Sequence, residues 1–273
     1  MSEQLSPGEE PAESEDSETI LSVTNLEKSF SGLIAVDAVS FGVQRGRMTG
    51  LIGPNGAGKS TTFNCLTNIV EPDAGRVVFD GEDVTDWQTH RIARHGLVRT
   101  FQIARELREM TVLENMMLGP AEQNETALHA VSPRLRGNVQ HQEERILKRA
   151  WNLLEFFDID HLAYEYAGTL SGGQRKLLEL ARALMLDPRM LLLDEPFAGV
   201  NPTLEERLLD RLHDLTEDGY TFLIVEHDID LIMSNCVRVM VMHQGSLLAD
   251  GPPEVVRENE RVIDAYLGGE GRE

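Results

Sequence analysis

Apolar residues two positions apart mark the first patterned stretch of the chain. Leu21 and Val23, leading to Leu26, and then Val39, Phe41 and Val43 have the period of half-buried strands. Met48 to Ile52 runs into a glycine-rich turn, and Gly75 to Gly81 reads as a further strand ended by the Asp80-Gly81 turn. Between His90 and Met185 the period lengthens to that of a helix. It is clearest over Glu143 to Phe157, where Ile146, Leu147, Ala150, Trp151, Leu154 and Phe157 fall on one face. Ala121 to Gln142, with Pro133 and Gly137, has no clear period and reads as a loop. The apolar runs Met190 to Leu193, Phe222 to Val225 and Val237 to Met242 then alternate with helical segments. This alternation predicts an α/β fold with a largely parallel sheet covered by helices. No internal repeat interrupts it.

At 273 residues and 41% apolar content the chain can bury the core of one large or two modest domains. Its apolar runs are far shorter than the roughly 20 residues of a spanning helix, and the N-terminus has neither the basic start nor the apolar stretch of a secretory signal. Cys65 and Cys236 have no metal-ligand spacing and read as buried small apolar groups, so the compartment reads as cytosolic. Residues 1–19 hold Glu3, Glu9, Glu10, Glu13, Glu15, Asp16 and Glu18 with no cation, and are expected to be a disordered tail ahead of a folded domain over 20–270.

Charge narrows the partners. Forty-six acidic residues face 25 basic ones, of which only Lys28, Lys59, Lys148 and Lys176 are lysine. A net charge of -21 repels a phosphate backbone and argues against nucleic acid. It also favours a halophilic source, where salt screens self-repulsion, over an ordinary acidic mesophile protein.

Candidate chemistry begins at Gly53-Pro54-Asn55-Gly56-Ala57-Gly58-Lys59-Ser60, a phosphate loop between a strand and a helix. Its backbone N–H groups can close around an anion because the glycines leave no side chain in the way. Lys59 would reach the β- and γ-phosphates, Ser60 would hold Mg2+ through its hydroxyl, and Thr61 and Thr62 would open the helix whose dipole faces the phosphates. Met190 to Leu193 buries a strand that delivers Asp194 for Mg2+, through water, and then Glu195 to polarise an attacking water. Leu170-Ser171-Gly172-Gly173-Gln174 repeats the glycine-rich design without the lysine. Ser171 would cap a helix striped by Leu177, Leu180, Ala181 and Leu184, offering N–H groups to an anion.

From Ile20 to Leu267 these motifs, in this order, resemble the nucleotide-binding subunit of ABC transporters. The resemblance implies a P-loop NTPase fold: a mixed, largely parallel sheet with N-terminal antiparallel strands and a helical subdomain insert. The core would span 20–94 and 186–270, and the insert, carrying the signature turn, 95–185. It implies that Gly53 to Thr61 binds ATP and that Leu170 to Gln174 is the signature, with Ser171, Gly172, Gly173 and Gln174 at the nucleotide. Gln102 would sense Mg2+ and the permease, and His227 would contact the γ-phosphate. Phe30 is similar in place to the aromatic that stacks on adenine, with Phe41 as its rival.

Within the family, Val98 to Gln102, Met110 to Asn115, Ala198 to Pro202 and Ala265 to Gly268 resemble the ATPase subunits of branched-chain amino-acid importers. Asn201 stands where the D-loop usually has aspartate. The resemblance implies a head-to-tail homodimer, or a heterodimer with a related ATPase subunit. Its partners would be membrane permeases and an external binding protein, and its place the cytoplasmic face of the membrane as a peripheral subunit. A soluble ABC ATPase and an exporter of the lipopolysaccharide type carry the same nucleotide motifs.

Overall fold

The computed structural model describes residues 18–100, 107–118 and 136–267. Two sheets organise them. The first is antiparallel and four-stranded, in the order β2 (Leu33–Gln44), β1 (Thr19–Phe30), β4 (Ala74–Phe79) and β5 (Glu82–Asp83). The second holds six strands in the order β10 (Ser246–Gly251), β9 (Arg238–His243), β3 (Met48–Ile52), β8 (Thr221–Val225), β7 (Met190–Asp194) and β6 (Leu97–Arg99). Its neighbours run parallel except for β10, which returns antiparallel along β9. The mixed, largely parallel sheet and the N-terminal antiparallel strands expected from sequence are both present.

Nine α-helices are found among the described residues: α1 (Lys59–Leu66), α2 (Thr89–His95), α3 (Val112–Met117), α4 (Arg136–Phe156), α5 (Gly172–Leu184), α6 (Pro202–Glu217), α7 (Ile229–Asn235), α8 (Pro253–Arg257) and α9 (Glu260–Leu267). Each of α3, α5, α6 and α7 is capped at its start by a side chain: Thr111, Ser171, Asn201 and Asp228 accept from the third residue onward. Asn201 therefore has a structural role that asparagine fills as well as aspartate does. Its carboxamide oxygen accepts from Leu204 N–H at 3.0 Å, and Pro202 follows at the first helical position.

The larger sheet divides two apolar cores by the pleat of its strands. Leu191, Leu193, Phe222, Ile224, Val239 and Val241 face one core, shared with α4 to α7. Met190, Leu192, Leu223, Val225, Met240 and Met242 face the other, shared with α1 and the antiparallel sheet. β3 and β8 are buried at every position, so both faces are covered and the sequence there is continuously apolar instead of alternating.

Three readings of the sequence change. Leu97–Arg99, inside the stretch expected to be helical, is a strand at the edge of the larger sheet, aligned with β7. Helix α4 starts at Arg136, so the end of the expected loop is helical; residues 119–135 lie outside the described residues. On α4, Ile146, Ala150 and Leu154 are buried whereas Leu147 is 38% exposed, because it sits at the margin of the apolar stripe. The expected tail lies outside the described residues through position 17, and β1 starts at Thr19.

Candidate active site

β3 ends at Ile52, and the chain turns through Gly53 to Gly58 before α1 starts at Lys59. Two of these glycines are required by their neighbours. Gly53 has φ 153°, and a Cβ there would stand 2.2 Å from the Met242 carbonyl oxygen; Gly58 has φ 101°, and a Cβ would stand 2.3 Å from that of Ala35. The loop is also stitched to its surroundings, since Gly245 N–H donates to Ala57 O at 3.0 Å and Asp37 N–H donates to Gly245 O at 2.8 Å. A glycine-rich loop held in this way at a helix N-terminus is suited to polyphosphate.

Lys59 is 6% exposed and its Nζ donates to Gly53 O at 2.7 Å and Pro54 O at 3.2 Å. Burial draws its ammonium below the ordinary lysine range, while Glu195 and Asp194 pull in the opposite direction. Ser60 is exposed at the first turn of α1, next to partly buried Thr61 and buried Thr62. Lys59, Ser60 and Thr61 line a cleft of about 560 Å3. Asn55, Gly56, Ala57, Gly58 and Lys59 form its floor, Glu195 and His227 stand on one side, and Phe30, Leu33 and Ile34 supply an apolar wall.

That wall separates the two aromatic candidates. Phe30 is 45% exposed and lines the cleft, with Lys28 Nζ 5.5 Å from its ring centre. Phe41 is 7% exposed and belongs to the core beneath the antiparallel sheet. Leu33 and Ile34, both exposed on this wall, were not singled out from sequence, because exposure in a strand depends on which face another layer covers.

At the end of β7, Asp194 pairs with Arg99 at 2.6 Å, and the same guanidinium donates to Asn64 on α1 at 2.6 Å. Sequence reading gave Arg99 no role of its own; only its place three residues before Gln102 hinted at one. Glu195 leaves the strand with φ 50°, a left-handed conformation uncommon for a side-chain-bearing residue. Its carboxylate meets His227 Nε2 at 2.8 Å. The neighbouring Glu226 is buried and accepts from Phe197 N–H at 2.9 Å and His227 N–H at 3.2 Å. Burial raises its carboxyl above the usual range, against these hydrogen bonds.

The signature turn stands apart. Ser171 Oγ accepts from Gln174 N–H at 3.3 Å, and Gln174 Oε1 accepts from Ser171 N–H at 2.9 Å, a reciprocal cap. Ser171 and Gly172 are exposed, and a Cβ on Gly173 would meet Leu204 of α6 at 2.1 Å. None of Ser171, Gly172, Gly173 or Gln174 lines the cleft of the phosphate loop in the same chain. Gln102 lies outside the described residues. Among the described residues no helix is long and apolar enough to cross a membrane.

Comparison with known proteins agrees with this geometry. The family described as "ABC transporter" matches residues 36–198, and that described as "Branched-chain amino acid ATP-binding cassette transporter" matches residues 246–272. The chain is 44% identical over 254 residues to the "Probable branched-chain amino acid transport ATP-binding protein LivG" of Archaeoglobus fulgidus, covering 93% of this chain and 97% of the relative. It is 41% identical over 256 residues to the "High-affinity branched-chain amino acid transport ATP-binding protein BraF" of Pseudomonas aeruginosa, covering 92% and 99%. Among solved structures it is similar to an ATP-binding cassette of an ABC transporter in its ADP conformation, with a TM-score of 0.79 and 38% identity over 92% of this chain and 99% of that one. The chain belongs to the ABC transporter family, as one of its ATP-binding, ATP-hydrolysing subunits.

Proposed function

We propose that the chain powers import of branched-chain amino acids through a separate membrane permease, working at the cytoplasmic face as one half of a head-to-tail ATPase pair. The observation that carries the hydrolytic part is the Glu195–His227 contact at 2.8 Å on the rim of the cleft floored by the phosphate loop. The substrate reading is supported by the names of relatives at 44% and 41% identity.

In this reading adenine stacks on Phe30 beside Leu33 and Ile34, and the phosphates lie along Gly53 to Thr61. Lys59 leaves its loop carbonyls for the β- and γ-phosphates. Ser60 and Asp194 are hard oxygen donors suited to Mg2+, which prefers few protein ligands and completes its shell with phosphate and water. Mg2+ bound there would neutralise charge developing on the phosphate oxygens. Glu195 orients and polarises the attacking water, and His227 holds that carboxylate and reaches the γ-phosphate. Ser171, Gly172 and Gly173 of a second copy, or of a related ATPase subunit, close the cleft from the far side, while Gln174 fixes the cap of its own helix. Gln102, outside the described residues, is the proposed sensor of Mg2+ and permease. The domain assignment proposed is a core over 20–94 and 186–270 with an insert over 95–185, β6 belonging structurally to the sheet of the core. Loss of γ-phosphate contacts then opens the pair, and the insert passes that motion to the permease.

The test is purification of the native chain from its own membranes and uptake in vesicles rebuilt from what co-purifies. Branched-chain amino-acid uptake driven by internal ATP supports the reading. Co-purification with no permease, or ATP-driven efflux, would sink it.

A further inference from the structure

Lys176 lies just over one turn into α5, the helix opened by Ser171. Its Nζ donates to the main-chain carbonyl of Glu195 at 2.7 Å, across to the end of β7. On the other side, Glu195 N–H donates to Val225 O on β8 at 2.8 Å. The left-handed turn at Glu195 is thus held by the sheet through its N–H and by the signature helix through its C=O. Lys176 is partly buried and feels the charges of Glu226, Glu179 and Glu195. Glu226 in turn accepts from the backbone N–H groups of Phe197, two residues after the base, and of His227, which meets its carboxylate, so both are anchored by one side chain.

We propose that Lys176 is a positioning residue that couples the two nucleotide sites of the pair. It ties the helix whose N-terminus faces the partner's nucleotide to the main chain of Glu195 in its own site. Docking of the signature turn on one nucleotide then sets the base that hydrolyses the other. This rests on the head-to-tail pairing proposed above. A displacement of about 1 Å at a reacting group can cost on the order of 100-fold in rate, so a single 2.7 Å tether at the Glu195 carbonyl is enough to gate hydrolysis.

The experiment is ATP hydrolysis by the full chain over a range of ATP concentrations, with Lys176→Met, Lys176→Gln and Lys176→Arg. Wild type, whose sites act together, should give a Hill coefficient above one. Loss of the cation should lower kcat by about 10- to 100-fold with KM for ATP within about two-fold, and bring the Hill coefficient to one. Lys176→Arg, which keeps a cationic donor, should recover most of the rate. ATP-driven pairing of Lys176→Met combined with Glu195→Gln, followed by light scattering, should persist, because the phosphate loop and the signature turn are unchanged. Should Lys176→Met melt early, Lys176→Gln carries the same comparison. A kcat within about two-fold of wild type, or a lowered kcat with an unchanged Hill coefficient, overturns the proposal. Failure of Glu195→Gln alone to pair with ATP would instead bring down the dimer on which it rests.

Discussion

His227 Nε2 lies 2.8 Å from Glu195 Oε1, joining the second residue past the end of β8 to the first residue past the end of β7. The two strands are adjacent and parallel, with Asp194 opposite Val225, so the contact is built by sheet register. The carboxylate is oriented by a protein group fixed on the neighbouring strand, as preorganisation requires.

Glu195→Gln keeps the size and hydrogen-bonding reach of this side chain but removes the base. Phosphate release should fall by about 100- to 10,000-fold, while ATP binding survives and a nucleotide-bound pair accumulates on size-exclusion chromatography. Hydrolysis at the wild-type rate would show that Glu195 is not the base.

Arg99→Ala should destabilise the fold by about 2 to 4 kcal/mol, because it strands the carboxylate of Asp194, whose side chain is only 19% exposed, without its cation. Urea unfolding measures this. Pairing Arg99→Met with Asp194→Asn should return most of the loss, since an unpaired buried charge no longer remains. A simple sum of the two single effects would refute that explanation.

Both thiols should resist alkylation in the folded protein near pH 8 and react once it is unfolded. Burial pushes Cys236 up to about 12 and Cys65 to about 11, so the folded chain offers almost no thiolate. The sign for stability follows. A thiol raised above its ordinary value favours the fold at neutral pH and loses that contribution as pH climbs from about 9 towards 12. Mass spectrometry after iodoacetamide treatment reads the first part, and thermal melts at rising pH the second.

A net charge of -21 predicts a fold that strengthens with salt. Raising ionic strength from about 0.01 M to 1 M shortens the Debye length from about 30 Å to 3 Å, and the melting temperature should rise accordingly. Full stability at low salt would remove the case for a halophilic source.

The phosphate loop, β7 and the signature helix were legible because their signals are local: glycine spacing, a run of four apolar residues, and a serine opening a striped helix. Phe30 and Phe41 could not be separated locally, since exposure in a strand depends on which face another layer covers. β6 was missed because three residues, Leu97 to Arg99, show no period; the usable mark was Gly96, with φ 107° at the end of α2. β10 was missed although Gln244 and Gly245, both at positive φ, make the tight turn that announces a hairpin. The Arg99–Asp194 pair joins residues 95 apart in sequence and had no local trace at all.

The two cores on either side of the larger sheet also decide where its charges point. On β7 the even-numbered residues Met190 and Leu192 face the layer that contains α1, and the odd-numbered Leu191 and Leu193 face the helices beyond. Asp194, next in the even series, meets Arg99, and Arg99 follows Leu97 onto the same side of β6 to reach Asn64. Parity in the strand is therefore an address for the chemistry, written in hydrocarbon. Deleting one leucine between Met190 and Asp194 would leave β7 equally greasy and still send its carboxylate to the wrong face of the sheet.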